Sequence, residues 1–255
     1  MSRRDATVLF ILGGAGVVLV AATLGLGWSM THTVVNPWTI AGHEYYFEAT
    51  STLLPGADYR TQCSTNNTSL PGFGFICART GSQGFLSPYL DPTIPEREIY
   101  DLYQSLLVAI AATAVIGVVG LTLQALGASS DGRRTGRWRR AGPTLLLVAG
   151  ILAIALPVAV AVLQPLAATH DFSAVGGGGP NPLGSFWGSC SPTSTPCLGQ
   201  NTTETWGPGP GWYVALGSGV CLLVAGAIGW KLKPWSLPRA SPLTLENPPE
   251  ANPVR

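Results

Sequence analysis

The sequence predicts an all-α membrane protein, a four-transmembrane-helix bundle with both termini cytoplasmic and a small β-containing, disulfide-closed extracytoplasmic loop domain between helices 1 and 2. Three observations predict it. Only 11% of the 255 residues are charged while 46% are hydrophobic, against the roughly 25% charged of an average soluble domain. Four stretches lack any charged side chain over the ~20 residues a helix needs to cross a ~30 Å hydrocarbon core. The charges that remain are sorted by segment, basic in some and acidic in others. The same composition excludes disorder, which requires high charge and low hydrophobicity. It also excludes nucleic-acid binding, since 14 Lys and Arg nearly cancel 13 Asp and Glu and leave no basic surplus for phosphates.

Residues 7–28 form the first span. It follows Arg3 and Arg4, but its 22-residue apolar run is longer than the ~7 to 15 residues of a signal-peptide core, and Trp28, Ser29 and Met30 offer no small-x-small cleavage site. An uncleaved signal anchor is the expectation. Residues 29–104 make the first long loop. Tyr45 to Thr50, Tyr59 to Cys63 and Phe73 to Arg79 mix aromatics, Ile and Thr between Pro, Gly and Asn, the pattern of short strands. Thr93 and Glu96, with Pro95 between them, resemble a capping box, so the second helix is expected to begin near Ile94, above its span at residues 105–127. An Arg-rich hairpin at 128–142 leads to the third span, 143–164, where Pro157 removes a hydrogen bond and introduces a kink. Residues 165–210 are Gly-rich, with four consecutive glycines at 176–179; such a segment cannot fold alone. Phe186, Trp187 and Trp206 give it the means to dock on the first loop, and a mobile flap is the alternative. The fourth span is 211–230, and the Pro-rich tail at 231–255 reads as disordered.

Charge counting orients the chain. The segments 1–6, 128–142 and 231–255 hold eleven basic and four acidic residues, a net of +7, whereas 29–104 and 165–210 hold three basic and nine acidic residues, a net of −6. Lys and Arg bias marks the cytoplasmic side, which places both termini and the hairpin inside and the two long loops outside, in a multi-pass plasma-membrane protein. Trp28, Tyr100, Tyr103, Trp212 and Tyr213 fall at the outer ends of spans and Trp138, Trp230 and Trp235 at the inner ends, where amphipathic rings prefer the headgroup level. Small residues at helical spacing, Ala21 and Gly25, Ala109, Thr113 and Gly117, Gly150, Ala153, Pro157 and Ala161, and Ser218, Cys221, Ala225 and Gly229, offer close helix contacts.

The candidate sites lie mostly outside the spans. Cys63 with Cys77 and Cys190 with Cys197 are two local pairs in the compartment where disulfides persist, and local pairing is the simplest of the three connectivities that four cysteines allow. Cys221 lies within the fourth span. Asn66, Asn67 and Asn201 head Asn-x-Ser/Thr sequons and are glycosylation candidates. His32, His43 and His170 are weak metal-ligand candidates near Glu44, Glu48 and Asp171; their spacing fits no compact ligand motif, so neither a metal nor a cofactor is expected. Arg133, Arg134, Arg137, Arg139 and Arg140 suit anionic lipid headgroups. No Asp, Glu, Lys, Arg or His falls within a span, which argues against ion-coupled transport, and no catalytic spacing is present.

A cysteine pair in each outer loop of a four-helix membrane protein resembles the bacterial disulfide-generating quinone reductases. Their reactive Cys-x-x-Cys is absent, the separations here being 14 and 7 residues. The plan of a short inner hairpin, a strand-bearing disulfide-closed first loop and a smaller second loop also resembles claudin-type four-span proteins. That family's Gly-Leu-Trp before the first cysteine is replaced by Arg60, Thr61 and Gln62. The function expected from the residues is therefore non-enzymatic: a structural or interaction protein whose outer loops contact a protein partner, a second copy or the cell envelope. A membrane thiol-disulfide oxidoreductase using the cysteine pairs and an accessory subunit of a larger membrane complex are the alternatives.

Overall fold

A computed structural model of the protein describes residues 3–40, 43–56, 59–65, 98–129, 136–174, 185–192 and 202–231. Helix α1 (Arg3–Ala22) ends in a short 3-10 turn (Thr23–Gly25) and gives way to strands β1 (Ser29–Ile40), β2 (His43–Leu53) and β3 (Tyr59–Thr65). Helices α2 (Glu98–Ser129) and α3 (Gly136–Ala174) follow, then β4 (Gly188–Cys190), β5 (Thr202–Pro208) and α4 (Pro210–Lys231). Among the described residues four helices are long and apolar enough to cross a membrane, the arrangement of a multi-pass membrane protein. Each packs on its neighbours in sequence, and α4 closes the ring against α1.

Burial in the helices follows the 3.6-residue period. From Tyr103 to Gly120 the buried positions of α2 are Tyr103, Leu106, Ile110, Thr113, Gly117 and Gly120, every third or fourth residue, while Val108, Val115, Val118, Val119 and Leu126 are exposed. At 1.5 Å per residue, Val108 to Leu126 covers about 27 Å, close to the ~30 Å of a hydrocarbon core. The exposed apolar side chains are thus those that lipid would cover. Lipid gives helices no hydrophobic reason to associate, so backbone proximity through small residues takes that role. A Cβ at Gly150 would lie 2.9 Å from the Leu223 amide nitrogen, one at Gly219 would lie 2.9 Å from the Gly150 carbonyl oxygen, and one at Gly226 would lie 2.7 Å from Leu147. Gly16 stands likewise against Leu222, and Gly117 against Val17. In α1 the close positions are therefore Gly13 and Gly16; Ala21 and Gly25, which the spacing singles out, are exposed.

The strands form one antiparallel sheet in the order β3-β2-β1-β5-β4. Tyr45 to Thr50 and Tyr59 to Cys63 lie within β2 and β3. Phe73 to Arg79 and the Thr93/Glu96 box lie outside the described residues. Two findings differ from the expectation. The first is β1: the chain leaves the helix at Ala22, so the charge-free run to Trp28 is only partly helical, and the residues after it form the central strand. The second is the Gly-rich segment, which contributes β4 and β5. Strand β5 pairs with β1 from Ser29↔Pro208 to Val35↔Thr202, making the sheet a joint product of both loops. The polar backbone of β5 finds its ladder on β1, so a sequence too polar to fold alone is ordered by pairing.

Sheet and bundle are joined where the chain leaves α1 and enters α4. The Gly209 amide donates to the Trp28 carbonyl at 2.9 Å and the Gly211 amide to the Gly27 carbonyl at 2.8 Å, while the Trp28 amide donates to the Leu53 carbonyl at 2.8 Å. A Cβ at Gly209 would overlap the Gly27 carbonyl oxygen, and one at Gly211 would lie 2.8 Å from the Trp28 ring. Trp28 is completely buried and donates its indole N–H to the Thr23 carbonyl at 3.1 Å. Tyr103 is also fully buried. These two rings therefore belong to the core and not to an interfacial belt, whereas Tyr213 and Trp230 are more than half exposed. On the other side of the sheet the β2–β3 turn docks on α2. Gly56, at φ +82°, donates its amide to the Tyr103 carbonyl at 2.9 Å and accepts from Gln104 Nε2 at 2.8 Å.

Gly209→Ala is expected to cost about 1–3 kcal/mol, the usual penalty of overpacking a tight contact, and to lower the thermal midpoint in detergent by several degrees. Gly25→Ala, which meets open space, is expected to leave the midpoint unchanged or slightly raised. Thermal unfolding followed by tryptophan emission checks both.

Candidate functional site

The chemistry-bearing residues gather where the sheet meets the helices. Tyr103 of α2 donates its hydroxyl to Gln164 Oε1 at 2.8 Å, and Gln164 Nε2 donates to Ser29 Oγ at 2.9 Å. All three are buried. The relay ties α2, α3 and the first residue of β1 together, and each bond in a low-dielectric interior is worth about 1 kcal/mol net. Two helical turns further along, Asp171 of α3 accepts from the backbone amides of Glu98 and Ile99 at 2.8 and 3.0 Å. It is 1% exposed and caps α2 from a different helix, satisfying two of the amides that any helix start leaves unpaired. The negative carboxylate also sits at the positive end of the α2 dipole. Gln164 and Asp171 carry no motif; a lone Gln in an apolar run and an acid at the end of the long third helix are their sequence signals.

Two of the histidines, His32 and His170, stand on different elements, each beside a carboxylate. His32 on β1 shares a hydrogen bond with Thr50 Oγ1 through Nδ1 at 3.1 Å and faces Glu48 through Nε2 at 3.3 Å. His170 lies 3.4 Å from Glu98 Oε1 and 3.8 Å from Asp171 Oδ1. The partners of His32 lie on β2, and those of His170 on α2 and α3. His43 opens β2, its side chain outside the described residues, and among the described residues no group of three or more His, Cys, Asp or Glu side chains is placed to hold a metal ion.

Cys63 stands opposite Ala49 on β2, Ala49 opposite Thr33 on β1, Thr33 opposite Glu204 on β5, and Glu204 opposite Cys190 on β4. Cys63 and Cys190 thus occupy one row at the two margins of the sheet, four strand spacings or about 19 Å apart. A disulfide requires Cα atoms within about 7 Å, so pairing of Cys63 with Cys190 is excluded geometrically. Cys77 and Cys197 lie outside the described residues. Cys190 is 3% exposed, and Cys221 on α4 is a free thiol.

Glu204 in the same row is half-buried, and burial raises its carboxyl above the ordinary glutamate range because desolvation penalises the charged form. Next to it, the Trp206 indole donates to the Ser185 carbonyl at 2.9 Å. That ring lies over Gly188, where a Cβ would meet Trp206 Cζ2 at 2.5 Å, so Gly188 is required for β4 to reach β5. Phe186 is buried, Trp187 is exposed, and both rings contact Trp212.

At the opposite end of the bundle, Arg137, Arg139 and Arg140 occupy the first turns of α3. Arg140 is exposed; the side chains of the other two, and all of Arg133 and Arg134, lie outside the described residues, as do Asn66, Asn67 and Asn201. Positive charge at a helix start opposes the macrodipole, so helix stability does not account for this cluster. Gln124 Oε1, near Gly142, is buried without a hydrogen-bond partner among the described residues.

No protein-family model matches the chain, and no curated protein matches its sequence.

Two outcomes follow. Asp171→Ala is expected to cost about 1–2 kcal/mol, the range for losing a helix cap, measured as a lower thermal midpoint. Glu204 holds its proton to a higher pH in the folded chain than in the unfolded one, so the stability it contributes is complete in acid and is lost as pH rises through its raised pKa. Glu204→Gln is therefore expected to raise the midpoint at neutral pH and to give no gain below the ordinary glutamate range. A gain of equal size at both pH values would contradict this.

Proposed function

We propose that the chain is a non-enzymatic plasma-membrane protein, its termini cytoplasmic, whose sheet faces outward and binds a protein partner. The observation that carries this reading is the five-stranded sheet built jointly from both long loops and fixed to the helices at Trp28 and Gly56. Connecting four spans does not call for such a platform. Among the described residues its marginal strands, β3 and β4, are the ones with an unshared side in the strand order, and a sheet margin is a place where a partner strand adds. The ionisable and amide groups beneath it are engaged in holding helices and sheet together, which supports an interaction role over a catalytic one.

The charge asymmetry of the sequence supports the orientation, and the arginine cluster at the start of α3 supports it further, because anionic headgroups would offset a charge that the helix itself disfavours. Pairing of Cys63 with Cys77 and of Cys190 with Cys197 is part of the proposal. The burial of Cys190 favours a structural bridge over a thiol exposed to redox partners.

Photo-crosslinking in native membranes tests the reading. A crosslinker at Thr205 or Glu48, on the sheet, is expected to yield a discrete adduct with a second protein, and one at Thr144, near the hairpin end, is not. No adduct from the sheet positions, or equal adducts from all three, would overturn it. Orientation is read separately: Thr205→Cys is expected to react with an impermeant maleimide in intact cells, and Arg140→Cys only after permeabilisation.

A further inference from the structure

Trp187 belongs to the Gly-rich loop, outside the four helices, yet it is 58% exposed beside the start of a membrane-crossing helix. It contacts Phe186 edge to face at 5.0 Å between centroids and Trp212 at 6.4 Å, and Trp212 in turn contacts Tyr213 at 5.2 Å. Phe186 is 4% exposed and packs into the core, fixing the segment from the inside. Ser185 Oγ donates to the Trp187 carbonyl at 2.7 Å, which fixes the backbone on the other side. The exposed indole is therefore held in place and is not a loose loop residue.

Its depth can be read from α3. Trp212 donates its indole N–H to the Pro157 carbonyl at 2.8 Å, which sets the bundle-side edge of the aromatic cluster near that level; Trp187 stands at the sheet edge of the cluster, its Cβ 3.9 Å from where a Cβ at Gly207 of β5 would lie. Beyond Pro157, toward the sheet end, α3 continues to expose apolar side chains: Val158, Val162, Leu163 and Leu166. From Pro157 to Leu166 the helix rises about 13 Å. The surface that lipid covers on α3 thus runs from the level of the Trp212 indole N–H toward the sheet, where Trp187 stands. Tyr213, also exposed, continues directly into Val220 and Val224 on the outer face of α4.

We infer that Trp187 is a membrane anchor for the sheet: its indole inserts at the headgroup level of the bilayer, seating the β4 margin on the lipid surface. An indole suits that position because its ring is apolar and its N–H polar. The occupant of this surface is the bilayer interface itself, since the patch is continuous with the lipid-facing sides of α3 and α4 and lies no higher than they do. One margin of the platform is then held at the membrane, leaving β3 as the strand margin turned to a protein partner.

The test uses the full chain in phosphatidylcholine nanodiscs. Subtracting the emission of Trp187→Phe from that of the wild type isolates Trp187, and Trp187→Tyr, which keeps an amphipathic ring, gives a second subtraction should the first variant fold poorly. Lipids brominated near the headgroup end of the acyl chain are expected to quench the difference signal about twofold more strongly than lipids brominated near the chain terminus, the profile of an interfacial ring, and aqueous iodide is expected to quench it weakly. A difference signal quenched by iodide and indifferent to both brominated lipids would overturn the inference and would mark Trp187 as facing water or a protein partner.

Discussion

The structure depends on a single crossing of two backbones. As the chain leaves α1 it passes Gly27 and Trp28, and as it enters α4 it passes Gly209 and Gly211; the amides of the second pair donate to the carbonyls of the first. Only glycine allows this approach at 209, where a Cβ would lie 2.3 Å from the Gly27 carbonyl oxygen. The crossing brings the last residues of β5 beside the first of β1, and the antiparallel ladder between them follows from that start. With β5 in place, β4 can pair outside it and the aromatic residues before β4 reach α4.

Polar groups reinforce the joint without opening the bundle. In lipid an unpaired polar group costs several kcal/mol, and Tyr103, Gln164 and Ser29 meet this constraint by pairing with one another. Asp171 meets it by capping α2. The two arrangements join helices that small residues alone would hold, and they concentrate specificity at the sheet end. The hairpin end is different in kind, with glycine contacts such as Gly120 against Gly142 and an arginine-rich helix start.

Much of this was legible in the sequence, and the rest was not for identifiable reasons. Charge-free length marks the four helices because a bilayer demands it. Strands β2 and β3 are legible because aromatic and Thr residues alternate between turn residues. Strand β1 is not, because its first residues continue an apolar run and Pro37 interrupts its pattern near the point where its register shifts. Strand β5 is invisible locally, since Thr202 to Pro208 is polar, ends in Gly and Pro, and becomes a strand only through a partner early in the chain. Trp28 and Tyr103 carry the same signature as interfacial anchors, an aromatic at the end of a span; packing alone separates a buried ring from a lipid-facing one. Asp171 and Gln164 act across helices, so no sequence neighbour announces their partners.

Hydrogen exchange of the full chain in nanodiscs, resolved by peptide, tests the central claim that two distant loops form one sheet. The account predicts that amides of Thr31 to Val35 and of Thr203 to Trp206 are protected to a similar degree, and that replacing Gly211 with Val releases both together. Rapid exchange of Thr203 to Trp206 alongside a protected β1–β2 pair would contradict it.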